Sequence, residues 1–311
     1  MNGLTLSREY FEGTAREKLK DAFPELFPRL AVGLAGNGSE CFGFDDETSR
    51  DHDWGVDFYI WVTEADRSAI GDLAAWKNQL FTFFPPEYRR DRSQYGAAVN
   101  VMTCEDFFRQ LIGTHEYPDD LRQWFRIPEE NLAMCVNGEV FMDNAGRMTA
   151  LRESFLRYFP EDYRKKKIAA KCMAIAQTGQ YNHLRMAKRG EFITVNTVIS
   201  RFIDSVIGLV FLLNRVYKPY YKWQSRMMRS LPILGAELNT EIDELLLIEG
   251  RDAKTIMRRQ DRIEKICEAL KKELQRQGLT SSDDAFFTAH GEEVQRRIED
   301  SFIRSLPTQY E

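Results

Sequence analysis

The chain is poor in cysteine and histidine, and neither residue is arranged for metal binding or cross-linking. Its five cysteines (Cys41, Cys104, Cys135, Cys172 and Cys267) are scattered, odd in number and never spaced Cys-x-x-Cys. This disfavours a disulfide framework and a structural zinc site, and a reducing cytoplasm is the expected compartment. The four histidines form no His-x-x-His or His-Glu-x-x-His pair, so a zinc enzyme is disfavoured as well. A basic excess is also missing. Against 43 Lys and Arg stand 48 Asp and Glu, a net charge of −5, which does not favour a dedicated nucleic-acid binder. Residues 1–17 contain no apolar signal core, and the longest apolar run, Val206 to Leu213, falls short of the ~20 residues of a membrane span. There is no Gly-x-x-x-x-Gly-Lys-Ser/Thr loop and no Gly-x-Ser-x-Gly elbow, which sets aside P-loop NTPases and α/β-hydrolases.

What is present divides into two halves, as a length of 311 residues allows. In the first half, Ser7 to Phe23 reads as an amphipathic helix with Ser7 as N-cap and Pro24 as stop. Residues 29–35 and 54–63 read as strands. Glu64 to Phe84 places Ile70, Leu73, Trp76 and Leu80 on one helical stripe, Ala97 to Met102 reads as a third strand, and Glu105 to Ile112 as a helix. Asn131 to Asp143 resembles a strand pair turning at Asn137-Gly138. After about residue 145 no strand pattern occurs. Met148 to Tyr158 is a linker helix, and Glu161 to Lys188, Thr194 to Val216, Ala253 to Gln277 and Glu292 to Leu306 are helical. The second of these is apolar almost all round from Phe202 to Leu213, the mark of a helix at the centre of a bundle. The expected fold is α+β. Residues 1–147 form a small mixed sheet with flanking helices, and residues 148–311 an all-α bundle.

One motif carries specific chemistry. Gly38-Ser39 follows the apolar segment Leu30 to Leu34, and Asp51-His52-Asp53 opens the apolar segment Val56 to Val62 twelve residues later. Alternate residues of a strand share a face, so Asp51 and Asp53 project together. Such a carboxylate pair suits Mg²⁺, which takes one or two carboxylates together with phosphate oxygens. Gly38 lets backbone N–H groups approach a phosphate, and a helix starting at Ser39 adds favourable partial charge for an anion. Arg50 either compensates the carboxylates or touches a phosphate. The blander alternatives are a pair of hairpin caps at Asp51 and Asp53 and a solvated acidic turn at Asp45, Asp46 and Glu47.

With these residues the chain resembles the DNA polymerase β-like nucleotidyltransferase superfamily. The longer run Gly43-Phe44-Asp45-Asp46-Glu47-Thr48-Ser49-Arg50-Asp51-His52-Asp53-Trp54-Gly55 resembles a bacterial nucleotidyltransferase-like family within it. The segments Val136 to Asp143, Arg152 to Pro160 and Asn214 to Trp223 add to that likeness. The resemblance implies a nucleotidyltransferase-type sheet domain followed by a helical domain like those of kanamycin nucleotidyltransferase and the HEPN proteins. It implies Mg²⁺ (or Mn²⁺) held by Asp51 and Asp53, and an NTP such as ATP held by Gly38 and Ser39. Arg50, Lys218 and Lys222 are implied as further nucleotide-binding residues. The implied reaction is transfer of a nucleoside monophosphate to an acceptor hydroxyl, on a small molecule first and on a protein or RNA second. No membrane partner is expected. The departure from the pattern is the third carboxylate. Its strand position falls on Asn100, which leaves Asp57 or Glu105 to substitute. Two alternatives therefore stay open: a nucleotide-binding regulatory protein without transfer activity, and an antitoxin-like protein in stable complex with a second chain. The remaining cations, Lys165-Lys166-Lys167, Lys188, Arg189, Arg258, Arg259 and Arg262, read as solvated helix surface.

Overall fold

The computed structural model describes residues 2–50, 54–82 and 100–311. The fold is α+β, a four-stranded mixed sheet with many helices. Two compact units compose it, Met1–Asp119 with Arg126–Arg157, and Asp120–Phe125 with Tyr158–Glu311.

The first unit opens on Asn2, whose side chain accepts the Thr5 N–H at 2.8 Å and caps helix α1 (Gly3–Tyr10). A π-turn (Phe11–Ala15) leads into α2 (Arg16–Ala22), which ends just before Pro24. Ser7 is therefore not the cap. It lies buried inside α1, where its Oγ accepts the Asp57 N–H at 3.2 Å. Next come β1 (Ala31–Leu34), β2 (Tyr59–Val62), α3 (Ile70–Thr82), β3 (Val101–Thr103), α4 (Cys104–Ile112), α5 (Leu121–Trp124, which belongs to the second unit), α6 (Glu129–Val136), β4 (Glu139–Asp143) and α7 (Arg147–Leu156). The sheet order is β3-β2-β1-β4. Both neighbours of β1 run antiparallel to it, and β3 runs parallel to β2. The two-residue period of β2 sorts its side chains. Ile60 and Val62 join Phe11, Leu19, Val32, Leu73 and Leu80 in one core, while Tyr59 and Trp61 stack at 5.3 Å and meet Phe107 of α4 edge-on.

Three local expectations change. The second strand begins only at Tyr59, because the Asp57 carboxylate takes the Phe58 N–H at 2.8 Å and removes it from the ladder. Residues 129–136 are a helix, not half of a strand pair. Glu129 and Glu130 occupy its first turn, where the helix dipole favours them, and Leu132, Ala133 and Cys135 are buried. Asn137-Gly138 consequently joins a helix to β4. The helix expected as a linker, α7, packs within the first unit through Met148, Leu151 and Phe155, the last stacked on Phe108 at 5.3 Å.

In the second unit α8 (Glu161–Ile175) passes through a π-turn (Ala176–Asn182) into α9 (His183–Lys188). Then follow α10 (Phe192–Asn214), α11 (Tyr221–Met228), α12 (Gly235–Leu246), α13 (Ala253–Arg276), α14 (Thr288–Arg296) and α15 (Ser301–Ser305). Among the described residues α10 alone is long and apolar enough to cross a membrane. Here it is the central helix, buried from Gly208 to Leu213, and the almost fully buried Arg164 donates from Nε to Leu212 O at 2.9 Å near its C-terminus. The Lys165-Lys166-Lys167 run is not a solvated face. Lys166 is fully buried and donates to Gln295 Oε1, Pro307 O and Thr308 O, and Lys167 lies over the Phe159 and Tyr163 rings. The last expected helix is two helices, because the Asp162 carboxylate accepts the Glu299 and Asp300 N–H groups, and Asp300 caps α15.

The loop between α13 and α14 hangs on one carboxylate. Glu293 accepts from Thr280 Oγ1, Ser281 N and Oγ, Ser282 N and Arg297. Burial acts to raise its pKa, but the hydrogen bonds from Arg297, Thr280 and Ser281 prevail and hold it at about 2. A depressed carboxylate stabilises the fold above its unfolded pKa, and that contribution is lost as pH falls through the folded value. The second unit is expected to lose roughly 1–2 kcal/mol between pH ~4.5 and ~2, a figure discounted for partial solvation. Glu293→Gln is expected to flatten this part of the urea-midpoint-versus-pH curve. An unchanged curve would remove Glu293 from the acid response.

Candidate functional site

The Gly-rich turn leaves the end of β1. Gly36 and Gly38 have φ of +102° and +148°, values that L side chains rarely adopt. A Cβ on Gly38 would lie 2.8 Å from the Glu40 carboxyl group, and the positive φ strains any L side chain there. The turn is held from outside. Asn137 brackets Gly36 with both ends of its amide, accepting the Gly36 N–H at 2.8 Å and donating to Gly36 O at 2.8 Å. Gly138 N–H donates to Cys41 O at 2.7 Å. Gly138 also has positive φ, and a Cβ on it would be 2.0 Å from Leu34 O. Behind Asn137, the buried Arg152 guanidinium donates to the carbonyls of Cys135, Val136 and Asn137 and so satisfies the end of α6.

Ser39 is half-buried and occupies the N-cap position of a 3₁₀ turn, Glu40–Phe42, without a side-chain cap bond. Its hydroxyl is thus not used as a cap. Glu40 is almost fully buried. Sequence reasoning passed it over, since nothing local distinguishes it from a surface acid.

The acidic loop is more than a solvated turn. Asp46 binds Ser49 through N–H and Oγ. Asp45 Oδ2 accepts the Gly3 N–H at 2.7 Å and Trp54 Nε1–H at 2.9 Å, and so ties the loop to α1 and to the residue after Asp53. The Arg50 guanidinium lies over the Trp54 ring, 4.6 Å from its centroid. Asp51 and Asp53 lie outside the described residues.

The acids named as substitutes for Asn100 are both engaged within the first unit. Asp57 is 4% exposed, and its Oδ1 accepts from Lys77 Nζ at 2.7 Å. Its Oδ2 accepts from Asn100 Nδ2 at 2.8 Å, and Asn100 itself sits at φ +35°. Lys77 is fully buried, donates also to Phe58 O, and lies over the Phe58 and Phe81 rings. It falls among the apolar positions of α3, where the helical stripe alone gave no reason to expect a charge. Glu105 is buried and paired with Arg147, whose Nε donates to Oε1 at 2.7 Å. Beside it the Cys104 thiol is pushed up to about 12, by burial first and then by Glu105 and Asp143, which keeps it protonated and unreactive.

Lys218 and Lys222 belong to the second unit. Lys218 Nζ pairs with Asp204 at 2.9 Å, and Lys222 Nζ lies 4.9 Å from the centroid of the Trp223 ring. Lys218 is the less available of the two for a ligand. No group of three or more His, Cys, Asp or Glu side chains suited to a metal ion occurs among the described residues.

A family described as a domain of unknown function (DUF4037) matches residues 124–224. No curated protein matches the chain. Among solved structures, the chain is similar to the crystal structure of a nucleotidyltransferase-like protein from Exiguobacterium sibiricum 255-15. The two are 14% identical, the match covers 94% of this chain and 81% of that one, and the TM-score is 0.35.

Proposed function

We propose that the chain transfers a nucleoside monophosphate from an NTP to an acceptor hydroxyl, with Mg²⁺ or Mn²⁺ held by Asp51 and Asp53. The observation that carries this reading is the turn after β1. It combines open glycine geometry at Gly36 and Gly38, external support from Asn137 and Gly138, and an uncapped Ser39. The Gly36 N–H is taken by Asn137, so in this reading the phosphate is met by the Gly38 and Ser39 amides. Asp51 and Asp53 would hold the metal, which would supply charge neutralisation for the triphosphate and the leaving pyrophosphate. In this reading the chain's own contribution is to hold the phosphates through Gly38 and Ser39 and to supply the carboxylate pair Asp51 and Asp53. The acceptor we place first is a small hydroxylated molecule.

A second reading is favoured by Asn100. The strand position of the third acid bears an amide, Asp57 is neutralised by Lys77, and Glu105 by Arg147. In that reading the chain binds nucleotide without transferring it. Incubation with α-labelled NTP, Mg²⁺ and an extract of small molecules separates the two. Label in a new product supports transfer, whereas saturable Mg²⁺-dependent binding with no labelled product supports the second reading. No binding of ATP, GTP, CTP or UTP overturns both. Ser39→Ala is expected to weaken NTP binding about tenfold and NMP binding much less, since a lost hydrogen bond to a charged group is worth about 1.5–3 kcal/mol. Equal weakening in calorimetric titration would remove Ser39 from the terminal phosphates.

A further inference from the structure

We propose that the outward face where α12 meets α13 is a self-complementary interface through which two copies of this chain pair. The surface belongs to the second unit and stands independently of nucleotidyl transfer. α12 ends at Leu246 and α13 starts at Ala253, and between the two helices lies a cleft of about 400 Å³ lined by Glu244, Leu247, Ile248, Arg258, Asp261 and Arg262. Its rim is apolar. Leu246 is 58% exposed, Leu247 78% and Met257 49%. Among the described residues five large aliphatic side chains are exposed, these three with Leu156 and Ile193. Ile193 borders the same loop, because it follows Phe192, and the Arg251 guanidinium lies 4.9 Å from the centroid of the Phe192 ring. Four of the five therefore gather at one end of the helical unit. An apolar patch rimmed by charge marks a docking surface, whereas single exposed side chains do not.

The charges select the occupant. The cleft carries two acids and two arginines, Glu244 and Asp261 with Arg258 and Arg262, so it is neutral in a chain with a net charge of −5. Arg262 is committed to Glu241 and Glu244. Arg258 and Asp261 are exposed and have no hydrogen-bond or ion-pair partner among the described residues. They stand three positions apart on the outward face of α13, with Met257 beside them and Gln260 and Ile263 turned inward. A two-fold axis crossing α13 between them sets Arg258 of one copy against Asp261 of the other, and an isologous contact makes each such pairing twice. The exposed Leu247 and Met257 side chains then meet apolar surface instead of water. A partner of one sign would oppose a like charge at one end of this pair, and an anionic lipid surface would oppose the two acids of the cleft. A face that alternates in the same way matches both charges, and this chain carries such a face itself.

The test is sedimentation velocity of the full chain across a concentration series from about 1 to about 100 μM. Neither NTP nor metal is present, so failure of nucleotidyl transfer and failure of this face are read separately. The wild type is expected to shift from monomer to dimer as concentration rises. Leu247→Asp/Met257→Asp is expected to raise the dimer dissociation constant about a hundredfold or more, because the symmetry applies each apolar loss twice. Arg258→Asp and Asp261→Arg, each alone, are expected to raise it about tenfold or more, because like charges then oppose one another at two places. Mixed with each other, these two single variants are expected to pair again, since every contact across the interface then joins unlike charges. Docking on a different protein predicts no such rescue. These substitutions fall on exposed side chains, and unaltered melting temperatures would show that the variants fold. A monomer throughout the series, a dimer as tight as wild type in every variant, or a mixture no tighter than the separate single variants would each overturn the proposal.

Discussion

Lys77→Ala is expected to destabilise the first unit by about 3–5 kcal/mol, the usual cost of removing one partner from a buried ion pair. Lys77 is fully buried and Asp57 nearly so, and their 2.7 Å contact lies beneath the Phe58 and Phe81 rings. Without the ammonium group, the Asp57 carboxylate keeps the Phe58 N–H and the Asn100 amide but loses the counter-charge that Lys77 supplies. Lys77→Met isolates the charge from the packing, because it keeps most of the aliphatic stem. Asp57→Asn combined with Lys77→Met is expected to recover much of the loss, since an apolar replacement of both partners is often neutral. Urea denaturation followed by near-ultraviolet circular dichroism reads all three variants. A loss below about 1 kcal/mol in Lys77→Ala would place the pair in solvent and contradict its burial. This pair has a bearing on function, because Asp57 follows Asp53 by four residues and Asn100 stands where the third acid is expected. The described partners of this carboxylate are Lys77, Asn100 and the Phe58 N–H, all within the first unit.

The second large effect concerns the proposed metal ligands. Asp51→Asn and Asp53→Asn are each expected to lower Mg²⁺-dependent NTP affinity at least a hundredfold, about 2.8 kcal/mol. Asparagine keeps the size of the side chain and removes the charge that attracts the cation. The fold is expected to survive, because the loop is anchored elsewhere, by Asp45 to Gly3 and Trp54 and by Asp46 to Ser49. Calorimetric titration of the four NTPs with and without Mg²⁺, together with a thermal melt of each variant, checks both halves. Unchanged affinity in both variants would sink the metal assignment. A collapsed melt would instead give these aspartates a structural role.

Much of the architecture was legible in the residue pattern. The apolar stripe of α13, the almost uniformly apolar α10 and the short apolar run of β1 each announce themselves, because helix and strand periods are local and lengthen with the element. The absence of a strand pattern after residue 145 likewise separated a sheet-bearing half from a helical one. The Gly38-Ser39 turn was legible too, since glycine next to a strand end answers a backbone requirement that one residue can meet.

The errors share a cause. Residues 132–136 are a short apolar run that passes for a strand, and only packing that buries Leu132, Ala133 and Cys135 together makes them a helix. Ser7 has the chemistry of an N-cap, but Asn2 holds that place and Ser7 serves Asp57, fifty positions away. Lys77 and Lys166 look like surface cations and are buried, each because oxygens distant in sequence surround its ammonium group. The support of the glycine turn is of the same kind, for Gly36 and Asn137 are 101 positions apart. The sequence by itself determined which segments are helices and strands wherever periodicity was strong, and where glycine was required. Tertiary structure alone decided which polar side chains are spoken for, because a hydrogen bond or ion pair depends on a partner whose position the local pattern does not contain.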